Sequence, residues 1–207
     1  LDDKAQPVGY TMELCNRVVD ALKKELKLPN VAVKLQAVTS QNRIPLVVNG
    51  TVDMECGSTV NNVERQAQVA FSDTTFVVAT RFIARKADNL KTIDDLKGKT
   101  VAVTTGTNTV KRVRDLDAAH KLGLNMINGK DHADSMLLMT SGRASAFFED
   151  DILLVGLAAS SPAPNEFALS VEGYSVDPYS IMLPKGDAEF KKLVDGVLVD
   201  LFRSSEI

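Results

Sequence analysis

Apolar positions near the start of the chain recur at steps of three and four: Met12, Leu14, Val18, Val19, Leu22 and Leu26. That spacing predicts one face of a helix, closed by Pro29-Asn30. Val31, Val33, Leu35 and Ala37 then alternate with polar residues, which predicts a half-buried strand. Thr39-Ser40 offers cap oxygens to a second helix that stops at Asn49-Gly50, with Pro45 near its first turn. Residues 52–56 read as a strand, and Asn61 with Glu64 as the cap of a short helix. A long strand-like run covers 75–84. The pattern then restarts, with strands predicted at 100–104, 124–127, 145–148, 167–171 and 179–183. Helices are predicted at 94–98, 110–122, 134–140, 152–158 and 188–202.

Repeated β–α units predict mostly parallel sheets flanked by helices. Two such sets are expected, one in residues 1–78 plus 180–207 and one in 79–179, joined by hinge strands near 75–84 and 173–181. Two open α/β lobes would leave a cleft at the carboxyl ends of their strands.

Composition narrows the function. A chain of 207 residues, 44% hydrophobic and 25% charged, can bury one sizeable core or two small ones. A net charge of -3 argues against a nucleic-acid partner, and no apolar run reaches the length that spans a bilayer. Two cysteines and two histidines provide no zinc ligand set. Cys15 and Cys56 are expected as small core residues, with a bond between them left open. The ends, Leu1-Asp2-Asp3 and Arg203 to Ile207, read as trimmed, without a signal peptide.

Polar residues cluster just after predicted strands: Ser40, Gln41, Asn42 and Arg43; Ser58 and Thr59; Arg65 one turn on; Thr105-Gly106-Thr107-Asn108; Asp131-His132; and Glu149-Asp150-Asp151. Cations, hydroxyls and loop amides with one acidic cluster suit a small zwitterion, since an arginine fork matches a carboxylate and a carboxylate can hold an ammonium. Each residue also has a plainer reading. Arg43 and Arg65 could be solvated helix charges, Ser40 and Asp150 could be caps, and three consecutive acids do not converge on a metal. Thr105-Gly-Thr-Asn lacks the glycines and lysine of a phosphate loop. Catalysis would have only His132 and Glu149 as an acid or base; neither has an evident partner in the sequence.

The segments Thr39-Ser-Gln-Asn-Arg-Ile-Pro45, Gly57-Ser-Thr-Val-Asn-Asn-Val-Glu-Arg-Gln66, Phe71-Ser-Asp73, Lys130-Asp-His-Ala-Asp-Ser135 and Ser141-Gly-Arg-Ala144 together resemble the glutamate/aspartate-binding members of the periplasmic solute-binding proteins of ABC transporters. The resemblance runs from about Val8 to Phe202. It implies a type II two-lobed fold that closes on its ligand in the interlobe cleft. The implied role is a periplasmic protein with no cofactor, metal or catalytic residue, which hands L-glutamate or L-aspartate to an inner-membrane permease. Arg65 would bind the α-carboxylate, assisted near Ser58, Val60, Thr107 and Asn108, with Thr59 a further ligand-binding candidate. Asp150 would hold the ammonium, and Ser40, Arg43 and His132 would read the side-chain carboxylate. Val60 and Asn108 stand where the family commonly has threonine. The family's preceding strand, with an arginine near the ligand, and its C-terminal extension have no counterpart here, so an open sheet edge is expected. The alternatives for this chain are the amino-acid sensory domain of a membrane receptor, a dehydratase-like enzyme on the same scaffold, and an interaction module that has lost its ligand.

Overall fold

The computed structural model describes residues 6–204. The residues that read as trimmed ends, Leu1-Asp2-Asp3 and the last three of the chain, lie outside them. The chain divides into two compact units. The first holds Leu1–Val38, Arg43–Phe76 and Pro178–Ile207; the second holds Thr39–Asn42 and Val77–Asp177.

In the first unit, helix α1 (Tyr10–Glu25) carries the predicted stripe. Its buried residues Leu14, Cys15 and Val18 pack on Ile181 and Leu183 of strand β7 (Asp177–Leu183) and on Val194, Leu198 and Leu201 of helix α7 (Ala188–Ser204). A second apolar cluster joins Val47 of helix α2 (Arg43–Val48) to Val69, Phe71 and Met182. Strand β1 (Ala70–Val78) pairs with β7 in a two-stranded sheet. Cys15 and Cys56 form a disulfide across 41 positions, closing the question their spacing left open.

Two predicted strands of this unit do not form. Residues 31–37 run without a ladder partner, and Val31, Val33 and Leu35 are 40%, 51% and 60% exposed. Alternation alone cannot make a strand when no neighbouring strand takes up its N–H and C=O groups. Residues 52–56 contribute one bridge, Glu55 to Met182, in place of a strand. The short helix α3 (Val63–Gln66) is capped by Asn62 rather than Asn61: the Asn62 side chain accepts from the Arg65 N–H at 2.9 Å.

The second unit is a five-stranded sheet with the order β4-β3-β5-β2-β6. Its strands are β2 (Thr80–Arg85), β3 (Thr100–Thr104), β4 (Asn125–Gly129), β5 (Ala146–Asp150) and β6 (Phe167–Leu169). The sheet is mixed. β3 runs parallel to β4 and β5, as the β–α units predict, whereas β2 pairs antiparallel with β5 and β6. The long run at 75–84 breaks at Ala79 into β1 and β2.

Register separates the two faces. Phe82 opposes Phe148 and Ile83 opposes Phe147. Phe82, Phe148, Val101 and Val103 therefore pack on one side with Val113 of helix α4 (Thr109–His120). Ile83, Phe147 and Ala102 pack on the other with Met136 and Met139 of helix α5 (His132–Thr140) and Leu154 of helix α6 (Asp151–Ala159). The side-chain period of two produces both faces from the same strands.

Candidate functional site

In the first unit the candidate residues lie on the loop 57–61 and the two short helices beside it. The loop is stitched to β7: the Asn61 N–H donates to the Pro178 carbonyl at 2.8 Å and the Ser180 N–H to the Thr59 carbonyl at 3.1 Å. The buried Glu55 carboxylate accepts from the Thr59 hydroxyl at 2.7 Å. Glycine at 57 leaves room for this carboxylate, because a Cβ there would fall 2.2 Å from Glu55 Oε1 and push it aside.

So pinned, the loop turns two carbonyls toward two arginines. Arg65 Nη1 donates to the Val60 carbonyl at 2.9 Å and Arg43 Nη1 to the Ser58 carbonyl at 3.3 Å. Both arginines are buried, at 7% and 5% exposure, rather than solvated on helix surfaces. Arg43 Nε is buried without a hydrogen-bond partner among the described residues. The Thr59 hydroxyl is committed to Glu55, so this residue supports the loop. Glu55 itself was not singled out by the sequence; its position two residues before Gly57 carries no signal until the fold is known.

In the second unit the candidates stand at carboxyl ends of strands. Thr107 follows β3, and its hydroxyl donates to the Thr104 carbonyl at 2.8 Å. Asn108 is the N-cap residue of α4 and makes no side-chain cap bond. His132 opens α5 after β4, behind the capping Asp131, whose carboxylate accepts from the Asp134 N–H at 2.8 Å. Asp150 ends β5, is 2% exposed, and occupies the N-cap of α6 without a side-chain cap bond. Asp151 instead accepts from the Ile152 N–H at 2.8 Å. Ser40 lies in the Thr39–Asn42 turn, which groups with this unit. The turn runs against Gly106, whose φ of +84° and 2.6 Å approach to the Gln41 backbone exclude a side chain.

Two polar networks of this unit escaped the sequence. Glu149, 2% exposed, faces His132, with Oε2 3.2 Å from Nδ1. Arg112 pairs with Asp177 at 3.0 Å, and Asp177 also takes the Ser175 hydroxyl. The partners in the two networks are 17 and 65 positions apart, so only the fold brings them together. Among the described residues no cluster of three or more His, Cys, Asp or Glu is placed to hold a metal, and no helix is long and apolar enough to cross a membrane.

Two α/β units with polar side chains at strand ends define the type II binding-protein fold, and solved structures share it. An ancestral arginine-binding protein bound to arginine superposes with a TM-score of 0.86 at 23% identity, covering 99% of this chain and 86% of that one. Holo ArgBP of T. maritima superposes with a TM-score of 0.83 at 26% identity, covering 98% and 84%. The family model of the bacterial extracellular solute-binding proteins, family 3, matches residues 1–207, and the chain belongs to that family. The L-glutamate/L-aspartate-binding protein of Pseudomonas aeruginosa is 47% identical over 99% of this chain and 68% of its own length. The glutamate/aspartate import solute-binding proteins of Salmonella typhimurium and Escherichia coli are 46% and 45% identical over the same shares. These relatives are named as solute-binding proteins, not enzymes, and the chain is a solute-binding protein of amino-acid transport.

Proposed function

We propose that this chain captures L-glutamate or L-aspartate in the periplasm and delivers it to an inner-membrane ABC permease. The observation that carries the reading is Arg43. It is a cation at 5% exposure whose one hydrogen bond among the described residues goes to a neutral carbonyl, with Nε unpartnered. A buried cation is costly unless an anion meets it, and a ligand carboxylate is that anion.

The roles divide by chemistry. Arg65 takes the α-carboxylate, with the loop of Ser58 and Val60 and with Thr107 and Asn108 assisting. Asp150 takes the ammonium. Arg43, Ser40 and His132 read the side-chain carboxylate. The acidic relatives favour two anionic ends on the ligand, and two buried arginines supply two cations. The Cys15–Cys56 disulfide suits an oxidising compartment.

The test is calorimetric titration of the purified chain, stripped of bound ligand, with L-glutamate, L-aspartate and L-glutamine. Micromolar or tighter binding of the acids, about -8 kcal/mol or better, with glutamine far weaker, is expected. Silence from all three in a folded chain, or glutamine binding as tightly as the acids, overturns the reading.

A further inference from the structure

His132 meets acceptors on one nitrogen only. Its Nδ1 lies 3.2 Å from Glu149 Oε2 and 3.2 Å from Thr104 Oγ1. Nε2 has no partner among the described residues. The hydroxyls around Nδ1 can be ordered by following their protons. Ser135 Oγ donates toward two carbonyls, Val103 at 3.2 Å and Asp131 at 3.0 Å, and neither can donate back. With its single proton turned to either carbonyl, the 2.8 Å contact between Ser135 Oγ and Thr104 Oγ1 uses the threonine proton. Thr104 Oγ1 is then left facing the ring as an acceptor.

Glu149 is ordered in the same way. Its Oε1 accepts from the Thr109 hydroxyl at 3.1 Å and the Asp150 N–H at 3.3 Å, while Oε2, buried and without a hydrogen-bond partner among the described residues, lies 3.2 Å from the ring nitrogen at ion-pair distance. A hydroxyl oxygen within hydrogen-bond distance and a buried carboxylate oxygen facing the same nitrogen both favour the proton on Nδ1 over a lone pair there. The other acids nearby are on the ring's own turn: Asp131 is occupied as the helix cap, and Asp134 accepts the Lys130 N–H at 3.0 Å. From β3 the ring meets only the uncharged Thr104, and from β5 it meets Glu149.

We infer that Glu149, with Thr104 behind it, is a positioning residue that locks the neutral His132 ring with its proton on Nδ1, and so makes selection of an anionic ligand side chain depend on His132 taking up a second proton. With Nδ1 protonated, the neutral ring offers Nε2 as a bare lone pair. That face repels a carboxylate and accepts an amide N–H. Protonation turns Nε2 into a charged donor, which attracts a carboxylate and offers an amide nitrogen nothing. One buried glutamate thereby converts His132 from a passive contact into a reader of side-chain charge. The inference rests on the assignment of His132 to the ligand side chain.

The test has two readouts. The first is the nitrogen NMR spectrum of the ligand-free His120→Gln chain, in which His132 is the one remaining histidine. It should show the Nδ1–H form when neutral and give the ring's titration midpoint; an Nε2–H form overturns the inference without any ligand. The second is calorimetry with L-glutamate and L-glutamine from pH 5.5 to 8.5, in buffers of different ionisation enthalpy. Above the measured midpoint, glutamate binding should take up about one proton, and the glutamate-to-glutamine affinity ratio should fall about tenfold per pH unit. In Glu149→Gln the lock is lost, and both proton uptake and the pH slope should shrink. A flat ratio in the unsubstituted chain, with His132→Gln still weakening glutamate, overturns the inference and leaves the ligand assignment standing. Binding of neither amino acid, or glutamate binding indifferent to His132→Gln, removes both.

Discussion

The two units solve the same problem with different means. The second holds most of its candidate residues on a five-stranded sheet with a core on each face, where a strand hands over to a helix; Ser40, in the 39–42 turn, is the exception. The first has two paired strands among the described residues, and relies on the α1–β7–α7 packing and a disulfide. Its arginines are held by an irregular loop whose shape depends on a buried carboxylate and a glycine. Regular structure positions one half of the recognition chemistry, and tertiary stitching positions the other. Disturbances should therefore differ in both size and reach between the units.

The largest expected effect is on the sheet core. Phe148 is fully buried and lies 5.4 Å, ring to ring, from Phe82. Phe148→Ala should destabilise by about 3–5 kcal/mol in urea melts; a loss under 1 kcal/mol would mean the two-sided core does not dominate that unit. Next comes the disulfide. Closing a loop of this length contributes up to about 4 kcal/mol in the chain-entropy account. Cys15→Ser with Cys56→Ser should lower stability accordingly. Amide exchange should accelerate in α1 while β3 and β5 stay protected; equal acceleration in both units would erase the contrast between them.

Smaller effects sharpen the comparison. Gly57→Ala forces a methyl onto the Glu55 carboxylate and should cost about 1–3 kcal/mol, the range for overpacking. It should also weaken ligand binding by displacing the Ser58 and Val60 carbonyls. Unaltered stability and affinity would show that the loop has slack. Least of all, Val33→Ala should change stability by no more than about 0.5 kcal/mol, because the side chain is 51% exposed and its segment has no ladder. A core-sized loss there would mean residues 31–37 pair after all.

The same contrast explains what the sequence disclosed. The helix α1 and strands β3, β5 and β7 were legible because each carries a clear period and a tertiary partner that rewards it. Residues 31–37 carry an equally clear period, yet form no strand, because a period reports which face would be buried and not whether a neighbour exists. Asn61 and Asn62 are both good caps, and the sequence cannot say which one the chain's path selects. His132 and Asp150 could be singled out because they follow strands that form, and Arg43 and Arg65 because they follow predicted strands, at 31–37 and 52–56, that do not form. Their partners could not: the Glu55 hold on Thr59 depends on a turn, and the Glu149 contact with His132 depends on β5 lying beside β3.

The central claim is that Arg65 supplies an anchor common to all amino acids, while side-chain selection lies with other residues, Arg43 among them. Its most direct test is titration of Arg65→Ala with both L-glutamate and L-glutamine, after circular dichroism and a thermal melt confirm the fold. Both affinities should fall together by about 100-fold or more, since truncating one side of a buried charge pair costs roughly 3 kcal/mol. Unchanged binding, or a loss confined to glutamate, would contradict it.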